Sequence, residues 1–404
     1  MLNKIFPRTA IPISTKELRY LVQRTGKKEV SNFEKKIQDY LAVRKVIATD
    51  SGRSALLMAL KSLNLKKGEK VLLPAFTCPI LYNIIISEGL IPLPVDVSLK
   101  TNNIDINTLK TAYRKDTRTL ILVHLFGKPC EMDEIMEFTS ENNIFLIEDA
   151  AQALGSKYRN KKIGTFGDLS ILSFGLGKVI TGGGGGSLII NNEEHASSID
   201  KIENNMTYPN SKDRLNICEN ILGMKMISHP NIYSVLRNYV DNNLTNKDIQ
   251  IIHAIKNKKQ KNKYNIKKIH PLSAKIVNSQ LENIKKINQT RLNNSKKLID
   301  LLKKQRNASI PTLNTYSKNV FTRFPIRVLK RKKRSSIVNK LIKQGIDVEK
   351  PYYSLNKILM NYSNVPNSIN LARSLITIPN HACLSCNDIS LIGKKTLSIL
   401  QSSE

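Results

Sequence analysis

The sequence predicts an α/β chain: a large, mostly parallel sheet of seven strands covered by helices, followed by a smaller C-terminal α+β unit. Three observations carry this expectation. Between Val46 and Asn192 short apolar runs alternate with amphipathic stretches, the pattern of strands joined by crossover helices. One of those runs, Ile147-Glu-Asp149, ends in acids, at the place where open α/β sheets bind ligands. Past Asn192 the alternation stops, and Ile276, Leu281, Ile284, Ile287, Leu292, Leu298 and Leu301 recur at near-helical spacing.

In chain order, residues 45–49, 70–73, 91–97, 119–125, 144–148, 169–174 and 187–191 read as the seven strands. Apolar residues at helical spacing place helices over 54–63, 79–88, 106–113 and 131–142. The Asn- and Lys-rich sequence that follows carries no clear period, and its tract 256–268 reads as an exposed loop. Residues 273–304 read as one long connecting helix, 320–328 as a strand, 335–344 as a helix and 387–400 as a final helix. The expected division is a large domain over 1–272 and a small one over 273–404.

Composition narrows the function. The charge of +32 points to anionic partners, either nucleotide-linked substrates or acidic lipid in peripheral membrane contact, although a Lys-, Asn- and Ile-rich composition explains the same excess. Nucleic acid is not expected, because the basic stretches 256–268 and 327–334 carry few aromatic residues for base stacking. No apolar stretch is long enough to span a bilayer, and the N-terminus lacks a secretory apolar region, so a cytoplasmic enzyme is expected. Five cysteines are too sparse for a disulfide framework, and Cys383-Leu-Ser-Cys386 lacks the second pair of a zinc site, so no metal is expected.

The chemistry lies in three segments. Lys178 follows Ser173-Phe-Gly-Leu-Gly and precedes the glycine run Gly182 to Gly186. Asp149 ends its strand 29 residues earlier, with Gln152 just beyond it. Asp50-Ser-Gly-Arg-Ser54 joins a strand to a helix, so the amides of Gly52, Arg53 and Ser54 are placed to face an anion. A lysine amine forms a Schiff base with an aldehyde, a buried carboxylate keeps a pyridine nitrogen protonated, and Ser173 offers a hydroxyl to phosphate; together these describe a pyridoxal phosphate site. A dinucleotide GxGxxG fits poorly, since Gly175-Leu-Gly177 lacks its third glycine at the required spacing, and no Gly-Lys-Ser/Thr of a phosphate-binding loop occurs.

Ser51-Gly-Arg-Ser-Ala-Leu56, Leu73-Pro-Ala-Phe-Thr77, Val123-His-Leu-Phe-Gly127, Glu148-Asp-Ala-Ala-Gln-Ala153 and Ser173-Phe-x-x-x-Lys178 resemble the DegT/DnrJ/EryC1/StrS family of pyridoxal phosphate-dependent sugar aminotransferases, which have the fold type I architecture. The resemblance implies Lys178 as the Schiff-base lysine and Asp149 as the partner of the pyridine nitrogen. It implies Gln152 as a ring contact, and Ser173 with Gly52, Arg53 and Ser54 as the phosphate cradle. Where the family commonly stacks an aromatic side chain on the ring, this chain has Cys78, leaving either Phe76 or the smaller Cys78 against it. The glycine run lacks the family's usual glutamate, with Gly184 at that position, and Asn265, Lys267 and Lys268 only approximate its Asn-x-Arg element.

The resemblance thus implies a homodimeric aminotransferase that moves an amino group from an amino acid such as glutamate to a keto-sugar, nucleotide-linked, in polysaccharide or glycoconjugate synthesis. A neighbouring subunit's 262–268 loop is expected to bring a cation to the phosphate or the anionic substrate. Two other readings stand beside it. One is a sugar dehydratase of the same fold, against which Lys178 counts because dehydrating relatives commonly carry histidine there; the other is a non-catalytic binding or regulatory protein that kept the fold.

Overall fold

The computed structural model describes residues 4–243, 264–352 and 364–402. All seven expected strands form: β1 Lys45–Thr49, β2 Lys70–Pro74, β3 Ile91–Val95, β4 Thr117–Val123, β5 Phe145–Asp149, β8 Leu169–Ser173 and β9 Gly186–Ile190, with the short β6 Lys157–Tyr158 and β7 Lys161–Lys162 outside the main sheet. Their spatial order is β1-β9-β8-β5-β4-β2-β3. Pairings among β8, β5, β4, β2 and β3 are parallel, and β9 runs against both β8 and β1. The sheet is therefore mostly parallel, and the carboxyl ends of β1, β2, β4, β5 and β8 open on one edge.

Burial explains the strand sequences. Leu120, Ile121, Leu122 and Val123 are all buried, as a parallel strand covered on both faces requires. Pro92 and Pro94 interrupt the ladder of β3, which a strand at the margin of the sheet tolerates. The helix Gly52–Ser62 is buried on every side from Ser54 to Leu60, because it lies between the sheet and its neighbouring helices. The expected helices appear as Ile80–Ser87, Ile106–Ala112 and Met132–Glu141, each within two residues of its predicted bounds.

The structure corrects three expectations. The supposed long helix is two, Pro271–Leu281 and Ile284–Leu302, broken at Glu282 and Asn283. The first packs on the helix Lys27–Leu41 and the second on the helix Cys386–Gln401, and one straight rod could not serve both. The sequence after Asn192 is not irregular: Ala196–Asn204, Ser211–Ile227 and Pro230–Asn243 are helices, and Ile217, Ile221 and Met224 bury against Ile11, Ile13, Leu272 and Ile276. Residues 256–263 of the tract expected as a loop lie outside the described residues. Residues 264–268 are instead tied down, with Lys268 bridged to Thr49 and Lys267 to Thr207.

A second core forms around the three-stranded sheet β10 Ala308–Ser309, β12 Phe324–Val328 and β13 Leu375–Ile378, closed by Ile389, Ile392 and Leu400 of the last helix. Phe6 joins that core from the other end of the chain, through a bridge to Ile346. The remaining short strand, β11 Ser317–Lys318, pairs with β6.

The glycine run shows why so many glycines are needed between β8 and β9. A Cβ on Gly186 would lie 2.3 Å from the Ser51 carbonyl carbon and 2.5 Å from the Gly52 nitrogen, and one on Gly182 would lie 2.3 Å from Ser273 Oγ. Gly183 and Gly185 adopt φ of 74° and 107°, in the region other residues avoid. Around Gly184 only the Asp50 carbonyl comes near, at 3.9 Å, so a side chain fits there. Gly186→Ala should therefore lower unfolding stability by about 1–3 kcal/mol, and Gly184→Ala should change it by less than about 0.5 kcal/mol; urea denaturation of the two variants checks the contrast.

Candidate active site

Neighbouring strand ends bring the expected residues together. Asp149 closes β5 beside Ile171 of β8, two residues short of Ser173. Gly52 touches Ser173 closely, since a Cβ there would sit 3.0 Å from that of Ser173. Asp149, Ser173 and the Gly52 turn thus share one edge of the sheet, with Cys78 reaching it from the segment after β2.

Lys178, in the loop that leaves β8, senses Asp149 electrostatically. Burial pushes the Lys178 ammonium below its usual pKa, while Asp149 pulls it back up. Burial pushes the Asp149 carboxylate up, opposed by Lys178. No ion pair joins the two among the described residues, so each senses the other across the pocket without contact. Cys78 senses Lys178, Asp149 and Arg53, and burial raises its thiol pKa. Phe76, by contrast, is only 1% exposed and packs edge-on against Tyr352, with ring centroids 5.4 Å apart.

Beneath Asp149 lies a dry polar floor. The Glu148 carboxylate is fully buried and accepts hydrogen bonds from the amides of Gly164, Phe166 and Gly167 and from Ser170 Oγ. Cys130 N–H donates to His124 Nδ1 at 3.1 Å, which leaves the Nε2 proton for Glu148 Oε1 at 3.0 Å. Burial works against the Glu148 charge, but His124 and these amides hold its pKa below the usual value. His124 N–H also holds the Asp149 carbonyl at 3.2 Å, so the floor fixes the backbone that carries the acid.

At the other end, Ser51 caps the helix Gly52–Ser62 by accepting from Ser54 N–H. The first amides of that helix lack intrahelical acceptors and face outward, with Arg53 exposed. The hydroxyls of Ser51 and Ser54 both donate to Asp50 Oδ1, and Ser54 Oγ also reaches the Asn265 carbonyl. Asp50 N–H donates to the Lys267 carbonyl at 2.9 Å, which lays the 265–268 segment against this turn. Lys267 Nζ pairs with Asp213 at 3.1 Å, and Lys268 Nζ lies over the Tyr208 ring.

Gln152 follows Asp149 closely, as the sequence places it. It lies in a turn, accepts from Phe126 N–H at 3.2 Å and donates to the Tyr352 hydroxyl at 3.2 Å. Two residues escaped sequence reasoning, Tyr352 and Arg323. Tyr352 sits in an irregular segment with no pattern to betray it, whereas Arg323 is one of two charges, with Arg327, inside the otherwise apolar run 320–328.

Pyridoxal 5′-phosphate fits these residues. Among the described residues the Asp149 carboxylate receives one hydrogen bond, from Ala151 N–H at 3.0 Å, so a buried acid is left with capacity for a protonated ring nitrogen. Lys178 would supply the amine, and the Gly52 turn with Ser173 would supply the anion cradle.

The raised pKa of Asp149 carries a sign. A carboxylate that folding makes less acidic opposes folding once it ionises, so in the cofactor-free protein its charge is a cost above its folded pKa. Asp149→Asn should stabilise cofactor-free protein at neutral pH by roughly 1 kcal/mol. The gain should shrink as the pH falls through the folded pKa and vanish only below the ordinary carboxylate pKa, where Asp149 is neutral in the folded and unfolded states alike; urea unfolding across pH checks this.

Comparisons with known proteins agree with the geometry. The sequence model of the DegT/DnrJ/EryC1/StrS aminotransferase family matches residues 17–227 and 240–396. GDP-perosamine synthase of Escherichia coli O157:H7 is 36% identical over 152 residues, 38% of this chain and 42% of that protein. dTDP-4-dehydro-2,6-dideoxy-D-glucose 3-dehydratase of Saccharopolyspora spinosa is 39% identical over 150 residues, 35% of this chain and 32% of that protein. These matches span under half the length of the curated relatives. The fold extends further: the pyridoxal phosphate form of the putative sugar aminotransferase Spr1654 from Streptococcus pneumoniae superposes with a TM-score of 0.75 at 18% identity, covering 99% of this chain and 100% of that one. On the span of the family match, the chain belongs to the DegT/DnrJ/EryC1/StrS aminotransferase family.

Proposed function

We propose that this chain is a pyridoxal 5′-phosphate-dependent aminotransferase that carries an amino group from an amino acid, glutamate being the proposed donor, to a nucleotide-linked keto-sugar in polysaccharide or glycoconjugate synthesis. The observation that carries the reading is the shared pocket of Lys178 and Asp149 at the carboxyl edge of a parallel sheet, where each senses the other without contact. The family match and the relatives named as synthases of amino sugars support it. The dehydratase relative keeps the second reading alive, but nothing in the pocket favours it over amino transfer.

Bound pyridoxal phosphate supplies an electron sink and a temporary carrier for the amino group. The proposed roles of the chain's own residues follow from their surroundings. Asp149, ionised and held from below by His124, keeps the ring nitrogen protonated. Lys178, its ammonium disfavoured by burial, spends more time as a free amine and moves a proton to and from the reacting carbon. Gly52 and Arg53 amides with the Ser173 hydroxyl would hold the phosphate, which would displace Asp50 from the Ser51 and Ser54 hydroxyls, while Ser54 N–H, expected from the sequence to face the anion, stays on the Ser51 cap. Cys78 is the proposed neighbour of the ring, because Phe76 is committed to the core beside Tyr352.

The proposed setting is a cytoplasmic homodimer with domains over 1–272 and 273–404. The second core cluster draws on residues from Leu298 onward together with Phe6, whereas Ala274, Val277, Leu281, Ile284 and Ile287 pack into the first, so the connecting helices belong to both units. No helix among the described residues is long and apolar enough to cross a membrane.

Borohydride reduction of the cofactor-loaded protein should fix the cofactor covalently on the Lys178 peptide, and mass spectrometry that maps it to another lysine removes the assignment. Lys178→Ala should abolish amino transfer. Asp149→Asn should bind cofactor yet slow the loss of the donor's α-proton by about 100-fold or more, as loss of a group acting on the transition state does.

A further inference from the structure

The two substrates of the proposed transfer make opposite demands on one spot. An amino acid carries a carboxylate on the carbon that bears its nitrogen, whereas a keto-sugar presents hydroxyls beside its carbonyl. A fixed cation there helps the first substrate and stands as an unpaired charge against the second.

Arg323 stands close to the Lys178 loop. A Cβ on Gly177, the residue before Lys178, would lie 3.8 Å from Arg323 Nη2, and the guanidinium disfavours charge on Lys178. Burial lowers its own pKa, while Tyr352 and Cys78 raise it, so it faces the same pocket walls as the cofactor residues. Arg53, the other arginine that senses Cys78, stands at the phosphate end instead. The partner of Arg323 is Glu349, joined to Nη1 through Oε2, and both side chains are about a quarter exposed, at 24% and 27%.

That pair differs from its neighbour. Arg8 pairs at 2.9 Å with Asp347, whose side chain is 2% exposed and also accepts from the Tyr233 hydroxyl, so that carboxylate is held by two partners and is not free to exchange. The Glu349 side chain is not what anchors its segment. Its backbone exchanges two hydrogen bonds with Thr377, at 3.1 and 2.9 Å, and Val348 is buried in the second core.

We propose that Arg323 is the receptor for the amino donor's α-carboxylate and that Glu349 is its internal stand-in, holding the guanidinium whenever no donor carboxylate is bound. This rests on the aminotransferase reading above. Arginine suits the exchange because its planar fork takes one carboxylate in place of another. With a keto-sugar in place, the Arg323–Glu349 pair is closed and the pocket presents no free cation from it. With glutamate in place, the donor's carboxylate takes the guanidinium and Glu349 turns to solvent.

The test uses cofactor-loaded protein and 2-methylglutamate, which keeps the carboxylates and amine of glutamate but has no α-hydrogen to lose. Titration calorimetry should show Arg323→Met weakening its binding about 30-fold or more, the worth of a charge-assisted bond. Glu349→Gln should tighten binding, by about threefold or more, because a competing carboxylate is gone. Single-turnover absorbance changes with glutamate should show the same shifts in half-saturating concentration, with smaller changes in limiting rate. A purely structural ion pair predicts otherwise: weaker binding in both variants, or unchanged binding in both, overturns the proposal. If the unaltered protein shows no spectral change with glutamate, aspartate or alanine, the aminotransferase reading falls and takes this inference with it. A response in the unaltered protein that both variants share overturns only this inference.

Discussion

The site depends on keeping two opposite charges apart at one largely buried edge of the sheet. Asp149 and Lys178 each lose hydration, and each is partly compensated by the other's field rather than by a contact ion pair. Had they met, the acid would be spent on an ammonium and the amine held charged. Separation leaves the carboxylate with capacity for a cation and the amine closer to its neutral form, the two states that pyridoxal phosphate chemistry requires. The sheet enforces the distance, because the acid ends β5 while the lysine lies in the loop between β8 and β9.

Keeping a carboxylate in such a place requires a rigid support, and the Glu148–His124 floor supplies it. Adjacent residues of one strand point to opposite faces, so Glu148 turns into the sheet packing while Asp149 turns to the pocket. Glu148 is satisfied by amides of the 164–167 turn and by His124, and His124 in turn grips the Asp149 backbone. The buried charge is thus satisfied by local hydrogen bonds and the open one is positioned. His124 and Glu148, 24 positions apart in the sequence, become one polar unit across the β4–β5 pair.

Much of this was legible in the sequence, for definite reasons. Strands such as 119–125 announced themselves because parallel strands buried on both faces read as unbroken apolar runs, and the Asp149, Ser173 and Lys178 set follows from where those strands end. The helix Ser211–Ile227 stayed hidden because its buried residues, Ile217, Ile221 and Met224, face a small local cluster while Leu215, Leu222 and Met226 remain exposed, so no clean stripe forms. The break at Glu282 and Asn283 was invisible because apolar spacing continues across it while the packing partner changes. Tyr352 and the Arg323–Glu349 pair are products of tertiary folding, brought to Lys178 from far along the chain. Sequence spacing holds no record of such meetings.

The central claim is that Asp149 is ionised against a protonated ring nitrogen, and one measurement addresses it directly. Pyridoxal phosphate labelled with ¹⁵N in the ring, bound to this protein, reports the protonation of that nitrogen through its NMR chemical shift. The account predicts the protonated shift at neutral pH in the unaltered protein and the unprotonated shift in Asp149→Asn. An unprotonated ring nitrogen in the unaltered protein, or a protonated one that persists without the carboxylate, would contradict it.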